Sequence, residues 1–234
     1  MIAGLQTMTL LDFPGKVACT LFLQGCNFRC PFCHNSPLLP QASQPFMTEE
    51  AFLHFLQSRR GLLDGVCISG GEPTLQPALS QLLRRIRSLG FSVKLDTNGS
   101  RPEVLQALMA ENLLDYVAMD VKNCPDRYGQ TIGLDTAPLD ALQQSLRLLL
   151  GGQIPFELRT TVVTPLHDLQ AMEEMGRWLY QLSGGQKIPR LYLQPFQDRE
   201  TVLFSGMAAP TNQHLAQWAD TLRPFVHDIQ IRGL

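Results

Sequence analysis

Short runs of strand-forming residues alternate with amphipathic helical stretches along this whole chain, and the alternation leaves few folds open to it. Val17–Leu23 (VACTLFL), Val66–Ile68, Val93–Leu95, Tyr116–Met119, Phe156–Val163, Arg190–Leu193 and Val226–Ile231 read as strands flanked by turn residues. Between them the pattern predicts helices over Glu49–Ser58, Leu75–Leu89, Val104–Glu111, Leu139–Leu150 and Leu169–Leu182, and one running from a Thr211 cap through Leu222. Thr48 precedes two acids in the first turn of one helix, Gly90 ends another, and Ser100 with Glu103 matches a capping box around Pro102. Buried apolar strands separated by helices belong to parallel sheets with right-handed crossovers, so the fold class is α/β, the sheet either open or curled into a barrel.

No charge run, repeat or low-complexity tract marks an internal boundary. Pro37–Pro45 reads as a surface loop, and a single domain over residues 1–234 is expected. Nineteen Lys and Arg against 21 Asp and Glu give a formal charge of −2, which argues against a nucleic-acid partner. The first basic residue is Lys16, and no apolar run approaches the roughly 18–20 residues that span a bilayer. The expectation is a cytoplasmic chain with no signal peptide and no membrane association.

In a reducing compartment cysteines serve as ligands, catalysts or small core residues rather than as disulfides. Of the six here, Cys26, Cys30 and Cys33 form a C-x3-C-x2-C cluster directly after the first predicted strand, while Cys19, Cys67 and Cys124 are scattered. Three thiolates this close can hold one compact inorganic centre. A four-iron cluster normally takes four cysteines, so three local ones would leave one iron open. A Cys3His zinc site with His34, or a chance core cluster, is the plainer reading; adjacency of Cys33 and His34 makes their ligation of one ion awkward. Ser69-Gly70-Gly71-Glu72-Pro73 ends the next predicted strand, at the edge where α/β folds bind ligands. Two glycines let a ligand approach main-chain carbonyls, and Glu72 adds an acceptor suited to an ammonium group.

With Phe32 in the aromatic slot of C-x3-C-x-aromatic-C and Gly70-Gly71-Glu72 behind it, the sequence resembles the radical S-adenosylmethionine (SAM) enzymes. The segments Gly4-Leu5-Gln6, Leu11–Lys16, Phe22–Asn27, Cys33-His34-Asn35, Gln194-Pro195-Phe196 and Gln230–Gly233 resemble the activases of glycyl-radical enzymes, closest to the branch that activates anaerobic ribonucleoside-triphosphate reductase. The resemblance implies a partial (β/α)6 TIM-type barrel, with Cys26, Cys30 and Cys33 holding a [4Fe–4S] cluster whose open iron chelates SAM. Gly70, Gly71 and Glu72 would help to hold the SAM amino group. By the same resemblance Asp96, Asp120 and Lys122 match positions around SAM and a monovalent cation. Electron transfer would break a sulfur–carbon bond of SAM, giving methionine and a 5′-deoxyadenosyl radical that takes a hydrogen atom from a backbone glycine of the partner. A low-potential donor such as flavodoxin or ferredoxin is implied with it.

Other residues have plainer readings. Arg159, mid-strand, would point a cation inward, where burial demands a partner. Cys19 and Cys67 read as small apolar strand residues and Cys124 as passive, while His34 is either a cluster-tuning neighbour or a polar loop residue. Gln197 stands where formate-lyase activases carry histidine, which weakens that particular match. Activation of another glycyl-radical enzyme, radical chemistry on a small molecule, and a zinc-stabilised binding module without turnover are the competing functions.

Overall fold

The computed structural model describes residues 1–39, 44–152, 154–202 and 204–233, and its backbone contacts divide into two compact units. The first comprises Met1–Asn27, Pro37–Ala118 and Gln153–Pro155; the second comprises Phe28–Ser36, Met119–Gly152 and Phe156–Leu234. Part of the Pro37–Pro45 loop lies outside the described residues.

In the first unit β1 (Ile2–Thr9) runs antiparallel to β2 (Ala18–Leu23), and β2, β3 (Gly65–Gly70) and β4 (Ser92–Thr97) are parallel neighbours. The helices α1 (Glu49–Ser58), α2 (Leu79–Ser88) and α3 (Pro102–Ala110) supply apolar stripes. Leu56, Leu83 and Ile86 are buried with Val66, Ile68, Val93 and Leu95 of the strands. Each such side chain contributes roughly 1.5–3 kcal/mol on leaving water, which is what holds two-residue strand periodicity against helical stripes.

A fifth strand, β5 (Tyr116–Asp120), crosses between the units after Ala118. The second unit holds α4 (Pro125–Ile132), α5 (Leu139–Gly151), β6 (Phe156–Val162), α6 (Leu169–Leu182), β7 (Ile188–Pro195), α7 (Asn212–Leu222) and β8 (Val226–Ile231), with β6, β7 and β8 parallel. Leu158, Thr160 and Val162 are buried on one face of β6, where the Thr160 hydroxyl lies 3.8 Å from Met175 of α6. Glu157, Arg159 and Thr161 therefore face the other way.

Local predictions fare unevenly. Thr211 caps α7 as expected, accepting from the His214 amide, and Thr48 caps α1 by accepting from the Ala51 amide. The capping box does not form: the N-cap of α3 is Arg101 rather than Ser100 and makes no side-chain bond, while the Ser100 hydroxyl accepts from Asn27 at 2.8 Å. The helix expected from Leu75 begins at Leu79, since Pro73–Leu75 forms a separate 3-10 turn. Strand β1 and helix α4 were not predicted; β1 is a half-exposed edge strand, with too little apolar alternation to read from sequence.

Candidate functional site

The glycine pair ends β3 in the first unit, and its geometry is set by the backbone of β2. Gly70 adopts φ +130°, which side chains rarely tolerate, and a Cβ there would lie 2.1 Å from the Leu23 carbonyl oxygen. A Cβ on Gly71 would lie 2.2 Å from the Gly25 oxygen and 3.2 Å from Cβ of Cys26. The two amides that follow fasten the loops together, Gly71 donating to Leu23 at 2.9 Å and Glu72 to Gly25 at 2.7 Å. These glycines thus seat the strand end directly against the residue before the first cysteine.

Glu72 is fully buried and accepts four hydrogen bonds from its own unit. Oε1 receives the Thr74 amide at 3.1 Å, the Thr74 hydroxyl at 2.5 Å and the Thr97 hydroxyl at 2.8 Å; Oε2 receives the Asn98 amide at 2.6 Å. Burial pushes its carboxyl pKa up while these donors pull it down. The carboxylate joins the loop after β3 to the loop after β4. Glu72→Gln would set an amide NH2 against a main-chain N–H that can only donate, Asn98 in one orientation and Thr74 in the other, so a loss of about 2 kcal/mol is expected, a fall of about 4–8 °C in melting temperature by calorimetry.

Behind Cys26 the same unit places a polar web that was not foreseen from sequence. Asn98 Nδ2 donates to Asn27 Oδ1 at 3.0 Å and lies 4.0 Å from the Cys26 sulfur, while Asn98 Oδ1 accepts from the Ser100 amide at 2.9 Å. Asp96, at the end of β4, forms an ion pair with the buried Lys94.

The second unit carries Cys30, Phe32 and Cys33. Cys30 and Phe32 are buried and Cys33 is half-buried; the Cys33 amide donates to the Cys30 carbonyl at 3.1 Å in a tight turn. This stretch rests on α4: the Arg29 amide donates to Ile132, and Gly133, left-handed at the helix end, passes so close that a Cβ would lie 2.3 Å from the Arg29 oxygen. Pro125 at the helix start and Gly133 past its end were the sequence signals for this support.

Asp120 receives Lys122 Nζ at 2.8 Å on one oxygen and Arg159 Nε at 3.1 Å on the other, so the partner that an inward Arg159 demands is Asp120. Burial works against the Lys122 charge, but Asp120 and the Cys30 thiolate hold its pKa above the ordinary lysine range. Burial likewise raises the Cys33 thiol, with Lys122 and Arg29 acting in the opposite sense. The Lys122 peptide is gripped from both sides by residues not singled out from sequence: its amide donates to Tyr128 Oη at 3.2 Å, and its carbonyl meets His167 Nε2 at 2.8 Å. His34 meets the Gln197 carbonyl at 2.6 Å and stacks on Phe196 at 5.6 Å, which ties the cysteine loop to the end of β7. Cys19 and Cys124 are buried, their thiols pushed up to about 12 and about 11 by burial, as suits passive residues.

None of the six cysteines is in a disulfide, and within the second unit Lys122 and Arg29 act electrostatically on Cys33, so the thiols of this sequence motif have the chemistry that suits an iron–sulfur centre. A family model described as the radical SAM superfamily matches residues 20–179. The chain belongs to the radical SAM superfamily. As a radical SAM enzyme it has the superfamily's α/β fold, the partial (β/α)6 barrel, and its cofactors, a [4Fe–4S] cluster and SAM. A Methanocaldococcus jannaschii protein named as a glycyl-radical enzyme activating enzyme is 29% identical over 243 aligned positions, covering 100% of this chain and 96% of that one. The pyruvate formate-lyase-activating enzyme of Clostridium pasteurianum is 32% identical over 130 residues, 53% of each chain. Among solved structures, Streptococcus suis SuiB bound to S-adenosylmethionine superposes with a TM-score of 0.68 at 12% identity, over 92% of this chain and 52% of that one, a likeness of fold. Among the described residues no helix is long and apolar enough to cross a membrane.

Proposed function

We propose that this radical SAM enzyme is a single-domain, cytoplasmic activase that places a glycyl radical on anaerobic ribonucleoside-triphosphate reductase. The observation that carries the reading is the Cys26-x3-Cys30-x2-Cys33 loop, followed by Gly70-Gly71-Glu72, in a chain that aligns over almost the full length of the Methanocaldococcus jannaschii relative. When bound, the cluster would supply an electron and SAM a cleavable sulfur–carbon bond, the radical chemistry that would remove a hydrogen atom from a glycine of the partner.

Cys26, Cys30 and Cys33 would hold three irons, with Phe32, in the aromatic slot of the motif, as a cofactor contact. Gly70 and Gly71 offer main-chain carbonyls to the SAM amino group, while Glu72 keeps that strand end in place. Asp96 and Asp120 accept from polar groups of SAM, and Lys122 meets its carboxylate. Electrons come from a low-potential donor such as flavodoxin or ferredoxin.

Anaerobic reconstitution with iron and sulfide should give about four irons per chain. After reduction with SAM and the reductase, electron paramagnetic resonance should record a glycyl-radical doublet on the reductase. A doublet on a formate-lyase instead would reassign the partner, SAM cleavage with neither would point to a small-molecule substrate, and stoichiometric zinc without SAM cleavage would overturn the proposal.

A further inference from the structure

Strand β4 reads Ser-Val-Lys-Leu-Asp-Thr, and its lysine is out of place for a buried strand. Lys94 has a side chain 1% exposed, among the least accessible in the molecule. Alternation along the strand puts Lys94 and Asp96 on one face, two residues apart. Lys94 lies beside Cys67 in the register of β3 and β4, its ammonium 3.9 Å from the Cys67 sulfur and 6.0 Å from the centroid of the Tyr116 ring. A thiol and an aromatic face offer little to a buried cation, and the carboxylate that pairs with it is that of Asp96, itself 13% exposed.

The family resemblance places Asp96 and Asp120 around a monovalent cation. Yet Asp120 carries Lys122 and Arg159 within its own unit, and Asp96 carries Lys94 within the other. A free cation at Asp96 would face a fixed positive charge held in contact with the same carboxylate, with almost no water to screen it. An ammonium has the charge and about the size of potassium, and lysine delivers it as a compact point charge.

We propose that Lys94 is a built-in counter-ion that positions Asp96, so that this chain needs no free monovalent cation at that carboxylate. The claim about SAM affinity rests on the function proposed above; the claim about the ion itself does not. Two measurements separate them, each comparing potassium chloride with choline chloride at equal ionic strength.

The first is thermal unfolding of the cluster-free protein. The wild type should melt at the same temperature in both salts, whereas Lys94→Met, in which Asp96 loses the Lys94 charge, should melt higher in potassium. The second is equilibrium dialysis of SAM against the anaerobically reconstituted protein. The wild type and Lys94→Arg should bind equally in both salts, and Lys94→Met should lose about tenfold in choline and recover in potassium. A wild type that melts lower or binds SAM more weakly in choline overturns the proposal. So does a Lys94→Met chain whose melting is indifferent to the salt, since lysine would then be only a packing residue. If the reconstituted wild type binds no SAM in either salt, the proposed function fails, and the melting comparison still decides the role of Lys94.

Discussion

Chains carrying Cys26→Ala, Cys30→Ala or Cys33→Ala, reconstituted anaerobically, should lose SAM cleavage by more than about a hundredfold. Changes merely adjacent to metal ligands cost roughly 10–100-fold, and removal of a ligand goes further because the cluster loses an iron attachment outright. Loss of the iron–sulfur absorbance should accompany the loss of turnover. Cys19→Ala and Cys124→Ala provide the contrast: both thiols are buried with raised pKa values, away from the C-x3-C-x2-C loop in sequence, and both variants should keep absorbance and cleavage. Retention of the cluster in any of the first three, or its loss in either control, would remove the cysteine assignment.

A large effect on stability is expected from Gly71→Ala, where the strain comes from contact alone. One added methyl group would sit 2.2 Å from a main-chain oxygen and 2.7 Å from a main-chain carbon of Gly25, neither of which can rotate aside as a side chain would. The Glu72 amide already binds that oxygen at 2.7 Å, so the loops must part to admit the methyl. Overpacking against rigid backbone costs about 3 kcal/mol, a fall of about 6–12 °C in melting temperature for a chain of this length. Gly151→Ala, at the end of α5 with nothing within 4 Å of the new atom, should melt no lower than the wild type. Equal melting temperatures for the two variants would show that the close approach of these loops is not a constraint in solution.

What could be read from sequence follows the range of the forces involved. The strands and long helices announce themselves through periodicity, because each buries one face and the pattern recurs every two or 3.6 residues. The cysteine loop and the glycine pair were legible because their chemistry is local, confined to a few adjacent positions. The missed features depend on partners distant along the chain. Ser100 and Glu103 satisfy a capping pattern, but the N-cap is Arg101 and the Ser100 hydroxyl accepts from Asn27, 73 residues away. Tyr128 and His167 bracket Lys122 only once α4 and the loop after β6 have folded. Lys94 was visible as a charge within a strand, yet its meaning depends on burial that no window of residues reveals. Glu72 illustrates a subtler gap, since sequence indicated an acceptor at a strand end but not that four donors of the protein occupy it.

For anyone redesigning this chain, the Glu72 network turns two loops into one module. Glu72 and Thr74 lie on one side of it, Thr97 and Asn98 on the other, and each acceptor is matched to a donor across the gap. A loop transplanted from a relative after β3 alone would bring a carboxylate without its hydroxyl and amide, or leave those donors facing an apolar graft. Exchange of the two loops together preserves the match, so the smallest portable piece of this region is a discontinuous one, spanning β3 to the start of α3.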